Sequence, residues 1–256
     1  MNSFKNHKVI ISGALGDIGK SIVMEFVKMG AHVAMGDIKS ISEANDFLEE
    51  VKSINSKAKV IYYQVDVRFP VEVKNWIDQA TIDLGILDII IPNAATVTLK
   101  GIMEVGPLEW SEELKVNIDG AFYLSKYAAE KLLKDQVPGR VVFIGSWAAD
   151  VVHPNLPVYC ISKAALRMLS KCMALELAKN NILVNEVAPG YVDAGLSKKV
   201  FERNSTAKDD AINKVPVRRI ISPEEVAKSV IWLSDFKNNH MTGSTLLMDG
   251  GLSLLT

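Results

Sequence analysis

Ser146, Tyr159 and Lys163 carry the most specific chemistry in the chain. Tyr159 and Lys163 stand four residues apart in a segment of helical character running through Lys179, so both side chains share one helix face. A phenol with a pKa near 10 is a poor base at neutral pH. Beside a fixed ammonium it is held partly as phenolate and can take an alcohol proton. Ser146, 13 residues before Tyr159, follows an apolar strand and is placed to hydrogen-bond the reacting oxygen. A Tyr-x-x-x-Lys pair alone is an ordinary surface motif, so a second feature has to give it weight.

That feature is the turn Ser12-Gly13-Ala-Leu-Gly16-Asp17-Ile18-Gly19, between an apolar strand and a helix over Lys20 to Gly30. Glycines admit close backbone approach, and the amides and dipole of a helix start hold negative charge, which together suit a dinucleotide pyrophosphate. The next strand ends in Asp37, 24 residues after Gly13, near the offset of about 20 at which a carboxylate meets the adenosine ribose. Asp37 repels a 2′-phosphate, Ile38 lies beside it, and no Lys or Arg occurs between Gly13 and Gly19, so NAD is favoured over NADP. Lys39 is the one neighbour that softens this preference.

These groups need a frame, and the chain supplies one. Short apolar runs at Lys8–Ser12, His32–Asp37, Lys59–Gln64, Asp88–Ile91, Arg140–Gly145, Leu183–Val187 and Ser244–Met248 alternate with amphipathic segments. Such runs read as strands covered on both faces. Helix starts are marked at Ser40-Ile-Ser-Glu43 and Ser222-Pro-Glu-Glu225. With 256 residues and no linker or repeat, one α/β domain over 1–256 is expected, and the mixed stretch at about 191–221 reads as a substrate lid.

Composition narrows the partners. Lys+Arg 29 against Asp+Glu 30 gives a net charge of −1 and no bulk reason to bind nucleic acid or an anionic membrane. Cys160 and Cys172 are twelve positions apart on one expected helix, about 18 Å by the helical rise, too far to pair. The four histidines lack ligand spacing, so no metal site is expected. No apolar run reaches membrane length and no leader pattern precedes the first strand, which predicts a cytoplasmic protein with a small-molecule partner.

Further motifs fall in order: Asp66-Val67 after the third strand, Asn93-Ala94-Ala95 after the fourth, and Val116-Asn117-Ile-Asp-Gly120 in a long helix. Then come Pro189-Gly190 after the sixth, Ser222-Pro-Glu-Glu-Val-Ala227, Thr242-Gly243 and Asp249-Gly-Gly251. With the turn, Ser146 and Tyr159-Cys-Ile-Ser-Lys163, the chain resembles, over nearly its whole length, the compact single-domain branch of the short-chain dehydrogenase/reductase family. The resemblance implies a Rossmann-like, doubly wound seven-stranded parallel sheet with helices on both faces and the site at the strands' carboxyl ends.

The same resemblance implies Tyr159 as acid/base, Lys163 as its charged neighbour and a ribose ligand, Ser146 as polariser of the carbonyl, and Asn117 as anchor of a proton-relaying water. Gly13, Gly16, Asp17, Ile18 and Gly19 would form the phosphate turn; Asp66, Val67, Asn93 and Ala94 would meet the adenosine side. The Pro189, Gly190 and Val192 backbone would meet the nicotinamide amide. Three features depart from the family pattern. Ser12 and Asp17 alter a turn that usually reads Thr-Gly-x-x-x-Gly-x-Gly, Ala95 replaces a glycine, and Ala194 replaces a threonine. Asp17 is compatible with a bound pyrophosphate only if its carboxylate turns away, for instance to cap the helix.

By the same resemblance Trp147, Val152, His153, Leu156, Tyr191 and Leu196 line the substrate pocket, with Phe201 on the lid. Their apolar and aromatic character suits a ketone or secondary alcohol with hydrocarbon surface, and Trp147 and Tyr191 also suit a sugar face. His153 either meets a substrate hydroxyl or caps its loop. The Tyr159–Lys179 helix is apolar on several faces, and the resemblance implies that it and the Leu108–Asp135 helix form the interface of a homo-oligomer, tetramer or dimer. The chemistry expected is NAD-dependent hydride transfer at a carbinol carbon, with a 3-oxoacyl-carrier-protein reductase and a non-catalytic dinucleotide-binding regulator as alternatives.

Overall fold

The computed structural model describes residues 3–195, 197–198, 201 and 206–255. Seven strands, β1 Lys8–Ser12, β2 His32–Asp37, β3 Val60–Gln64, β4 Ile89–Ile91, β5 Gly139–Ile144, β6 Ile182–Pro189 and β7 Thr245–Met248, form one sheet in the order β3-β2-β1-β4-β5-β6-β7. Every pairing is parallel. The order reverses between β1 and β4, which opens a crevice at the strands' carboxyl ends. The seven-stranded, doubly wound sheet is as the sequence implied. β6 runs two residues past the expected Val187, carrying the chain to Pro189 at the crevice.

Alternation along β1 shows why its run is apolar throughout. Val9 and Ile11 face one helical layer with Ile22, Phe26, Phe47 and Val230, whereas Ile10 faces the other with Trp76, Leu124 and Leu166. The first layer is α1 Asp17–Lys28, α2 Ile41–Ile54 and α8 Pro223–Ser234. The second is α3 Pro70–Leu84, α5 Gly120–Asp135 and α6 Pro157–Leu177. Both expected capping boxes form: the Ser40 amide donates to Glu43 at 2.9 Å and the Ser222 amide to Glu225 at 3.0 Å. α4 Pro107–Leu114 continues into α5 through a π-helical turn at Lys115–Asp119.

The described residues of the 191–221 stretch are less irregular than expected. They hold α7 Ala207–Lys214, a parallel bridge between Val192 and Ile221, and an ion pair from Lys208 to Asp193 at 2.8 Å. Among the described residues no helix is long and apolar enough to cross a membrane.

Candidate active site

A cleft of about 940 Å³ collects the segments that leave β1 to β6. The glycine turn forms its floor. The Ser12 hydroxyl accepts the Asn93 and Ala94 amides, each at 3.1 Å, and the Asn93 side-chain amide donates to the Ser12 and Gly13 carbonyls at 2.9 and 3.0 Å. The turn is therefore stitched to the end of β4, and a serine hydroxyl suffices for it. Gly13 has φ +64°, and a Cβ there would lie 2.8 Å from the Ala94 Cα. Gly16 begins α1 with no side-chain cap, so the first-turn amides face the cleft uncapped.

Asp17 is turned away from those amides. Its Oδ2 accepts the Gly195 amide at 2.8 Å, tying the turn to the segment that follows β6 instead of capping the helix. Asp37 closes the other side: Oδ2 accepts the Leu15 amide at 2.9 Å and Oδ1 the Lys39 amide at 3.3 Å. Ile38 beside it is exposed and lines the cleft. Asp66 is engaged by Arg68, whose backbone and guanidinium both donate to it and hold its carboxyl below the usual range. Arg68 also pairs with Glu112. Val67 is buried against Gly120, where a Cβ would come within 2.7 Å of the Val67 side chain.

Ser146 leaves β5 buried, its Oγ accepting the Ala148 amide at 3.1 Å. Pro157 starts α6, which presents Tyr159 and Lys163 on the face toward the cleft. Lys163 Nζ donates to the Ile144 carbonyl at 2.7 Å and stands 5.4 Å from the Tyr159 ring centroid. The expected partial phenolate does not result. Burial pushes the Tyr159 phenol up to about 12, outweighing the hydrogen bond to Ser146 that pulls it down. Burial likewise pushes Lys163 down to about 8, against the pull of the Glu186 and Glu113 carboxylates.

Asn117 lies in the π-helical turn, where the extra residue per turn aims it under the loop after β4. Its Oδ1 accepts the Thr96 amide at 2.8 Å, and its Nδ2 donates to the Thr96 carbonyl and Ser162 Oγ, both at 3.0 Å. Both side-chain donors thus anchor protein.

Trp147 gathers the substrate wall. His153 meets it edge-on at 4.8 Å and Tyr191 at 5.5 Å between ring centroids. His153 Nε2 is buried with no hydrogen-bond partner among the described residues, and burial pushes the ring toward the neutral form. Leu156 and Phe201 join the lining, as do Pro189, Gly190 and Val192. Val152 is 82% exposed and does not, because it sits on the outer bend of its loop. Leu196 falls outside the described residues.

Residues 13–253 match the family model described as enoyl-(acyl carrier protein) reductase. The chain is 31% identical to the uncharacterized oxidoreductase YohF of Escherichia coli (strain K12), over 96% of this chain and 95% of that one. It is 30% identical to an NADH-dependent L-xylulose reductase of Ambrosiozyma monospora, over 98% and 96%. The crystal structure of a short-chain type dehydrogenase/reductase from Mycobacterium marinum matches with a TM-score of 0.90 at 28% identity, covering 98% of this chain and 96% of that one. The chain belongs to the short-chain dehydrogenase/reductase family.

As a member of that oxidoreductase family, the protein adds charged groups that its motifs do not announce. Glu113 is 1% exposed: Oε2 accepts the Thr98 amide at 2.7 Å, Oε1 has no partner among the described residues, and burial raises its pKa. Glu186 is equally buried in β6 and pairs with Arg167. A lone acid inside the apolar run Leu183–Val187 was the available signal for Glu186. Arg167, four residues past Lys163, continues the Tyr159–Lys163 stripe.

Proposed function

We propose that the protein is an NAD(H)-dependent oxidoreductase interconverting a small secondary alcohol and its ketone. The observation that carries this reading is that Ser146, Tyr159 and Lys163 open on the same cleft as the glycine turn and Asp37. The residues fit a dinucleotide: uncapped amides at the start of α1 suit its pyrophosphate, and the backbone approach that Gly13 allows leaves room beside it. Gly13 to Gly19 would hold the phosphates, Asp37 and Ile38 the adenosine ribose, and Asp66, Val67, Asn93 and Ala94 the adenosine side. The Pro189 to Val192 backbone would hold the nicotinamide amide.

A bound nicotinamide cofactor supplies or accepts the hydride. The chain's own residues control the proton. With its pKa pushed up to about 12, the Tyr159 phenol is protonated at neutral pH, the state that donates to the substrate oxygen during reduction. The Ser146 hydroxyl accepts the Ala148 amide and bonds the Tyr159 phenol, and turning its proton from the phenol gives that proton to the same substrate oxygen. Lys163, fixed to the Ile144 carbonyl, places positive charge behind the phenol and a ligand for the ribose. Alcohol oxidation uses the same groups in reverse.

A hydroxy ketone, polyol or alicyclic substrate suits the wall best. Trp147 and Tyr191 offer apolar faces, and the neutral His153 ring lines the same cleft. The name of the Ambrosiozyma monospora relative supports a substrate of this class. Asp37 weighs against the NADPH-linked 3-oxoacyl-carrier alternative, and retention of Ser146, Tyr159, Lys163 and Asn117 weighs against a non-catalytic regulator. The reading includes one catalytic unit with a lid at 191–221 and a cytoplasmic location. It also includes a homo-oligomer, dimer or tetramer, supported by exposed Met168 and Leu175 on α6.

Turnover tests it. The purified protein is offered xylitol and cyclohexanol with NAD, and 3-hydroxybutan-2-one and acetoacetyl-CoA with NADH, each beside Tyr159→Phe. Activity on the first three that Tyr159→Phe abolishes supports the reading. Activity on the acyl thioester alone, or undiminished in Tyr159→Phe, overturns it.

A further inference from the structure

The stripe of α6 that carries Tyr159 and Lys163 continues one turn further, to Arg167. Its side chain is 12% exposed and forks three ways. Nε donates to Glu186 Oε2 at 2.8 Å, Nη2 donates to Glu186 Oε1 at 3.3 Å and to the Ser146 carbonyl at 3.0 Å, and Nη1 reaches the Asp150 carboxylate. Glu186, from the middle of β6, is held in turn by the Thr245 hydroxyl of β7 at 2.7 Å. A Cβ at Gly145 would lie 1.8 Å from Glu186 Oε1, so the strand end that presents Ser146 packs its backbone directly on this carboxylate.

Stability alone is a poor reason for such an arrangement. A buried ion pair gives back in desolvation most of what it gains in attraction, and well-packed apolar residues would serve the fold as well. What apolar residues could not do is fix the Ser146 peptide. Its carbonyl takes Arg167 as well as the Ala149 amide at 3.2 Å, and its hydroxyl takes the Ala148 amide. Peptide plane and hydroxyl are therefore set together, facing Tyr159.

We propose that Arg167 and Glu186 form a positioning pair that holds Ser146 in its hydrogen-bonding pose and faces Lys163 with a fixed negative charge. The inference rests on the functional reading of Ser146 and Tyr159 given above. Neither residue touches substrate; both act through Ser146 and Lys163. The carboxylates acting on Lys163 are Glu186 from β6 and Glu113 from α4, and Tyr159 is its neighbour on α6 itself.

Removing one partner strands a buried charge and is expected to destabilise the protein, so the informative variant removes both. Arg167→Met/Glu186→Met is expected to melt no lower than Arg167→Met alone and to bind NADH, by fluorescence titration, as the wild type does. With xylitol and NAD its kcat is expected to fall about 10²-fold at little-changed KM, the scale of a misplaced catalytic group. Arg167→Lys, which keeps the charge without the fork, is expected to recover only part of that loss. A crystal structure of the double variant gives a reading that needs no substrate. Ser146 rotated away from the Ala148 amide supports the proposal; Ser146 unmoved, or wild-type kcat in the double variant, overturns it. Tyr159→Phe run alongside separates the two levels. If it keeps wild-type turnover the functional reading itself fails, whereas an inactive Tyr159→Phe beside a fully active double variant removes only the pair's role.

Discussion

Asp37 Oδ2 accepts the Leu15 amide at 2.9 Å, so the acid at the end of β2 and the glycine turn after β1 are one rigid unit. In the proposed reading, that fixes the carboxylate where the adenosine ribose and any 2′-phosphate would have to pass. Replacing Asp37 with Ser is expected to weaken NADH by about 1.5–3 kcal/mol, roughly ten- to a hundredfold, the worth of a hydrogen bond to a charged group. NADPH binding should strengthen in the same variant. Parallel fluorescence titrations check both directions at once.

Asp17 puts a negative charge on the first turn of α1 and spends it on the Gly195 amide. Asp17→Asn removes repulsion toward a pyrophosphate and should tighten NADH about two- to fivefold, on the scale of about 0.3–1 kcal/mol for charge at a helix start. The gain should shrink as salt rises. Titrations at low and high ionic strength decide it, since a salt-independent gain would point to an altered contact with Gly195 instead.

The pH dependence of reduction follows from Lys163. Burial lowers its pKa to about 8, so the ammonium is present below that pH and is lost as the pH rises through it. Tyr159, raised to about 12, stays protonated across the same range. The reduction rate should therefore fall on the alkaline side with a midpoint near 8, and Lys163→Arg should remove that limb while lowering the maximum. Initial rates from pH 6 to 10 give the test.

Ser12 serves two amides with one oxygen. Ser12→Ala leaves buried donors unpaired and should cost about 1–3 kcal/mol, whereas Ser12→Thr should be nearly neutral. Gly13→Ala should cost more, because a left-handed backbone and a 2.8 Å approach to Ala94 coincide there. Denaturant titrations of the three variants should find Ser12→Thr the most stable, Ser12→Ala next and Gly13→Ala the least.

The sheet was legible because its strands are buried on both faces and read as unbroken apolar runs; Val9, Ile10 and Ile11 are all fully buried. That the turn, Asp37, Ser146, Tyr159 and Lys163 meet at one cleft was legible because the residue types stand at particular offsets in the strand-and-helix order. Orientation and burial were not. Asp17 finds Gly195, 178 positions away, and spacing says nothing of such a contact. The four-residue interval put an ammonium beside a phenol, but the depth of both groups makes desolvation the larger effect and reverses the expected shift of Tyr159. Glu113 and Arg68 gave no signal, since a charged residue in a polar stretch reads as surface. Val152 looked like pocket wall by its place in the loop and faces solvent.

The most direct test of NAD-linked chemistry in this cleft is a paired titration of the wild-type protein with NADH and NADPH, followed by cofactor fluorescence at one salt concentration. Saturable NADH binding at least tenfold tighter than NADPH is the expected result, through Asp37 and the turn. Equal or tighter NADPH binding would contradict the role of Asp37, and binding of neither would contradict a dinucleotide site at the glycine turn.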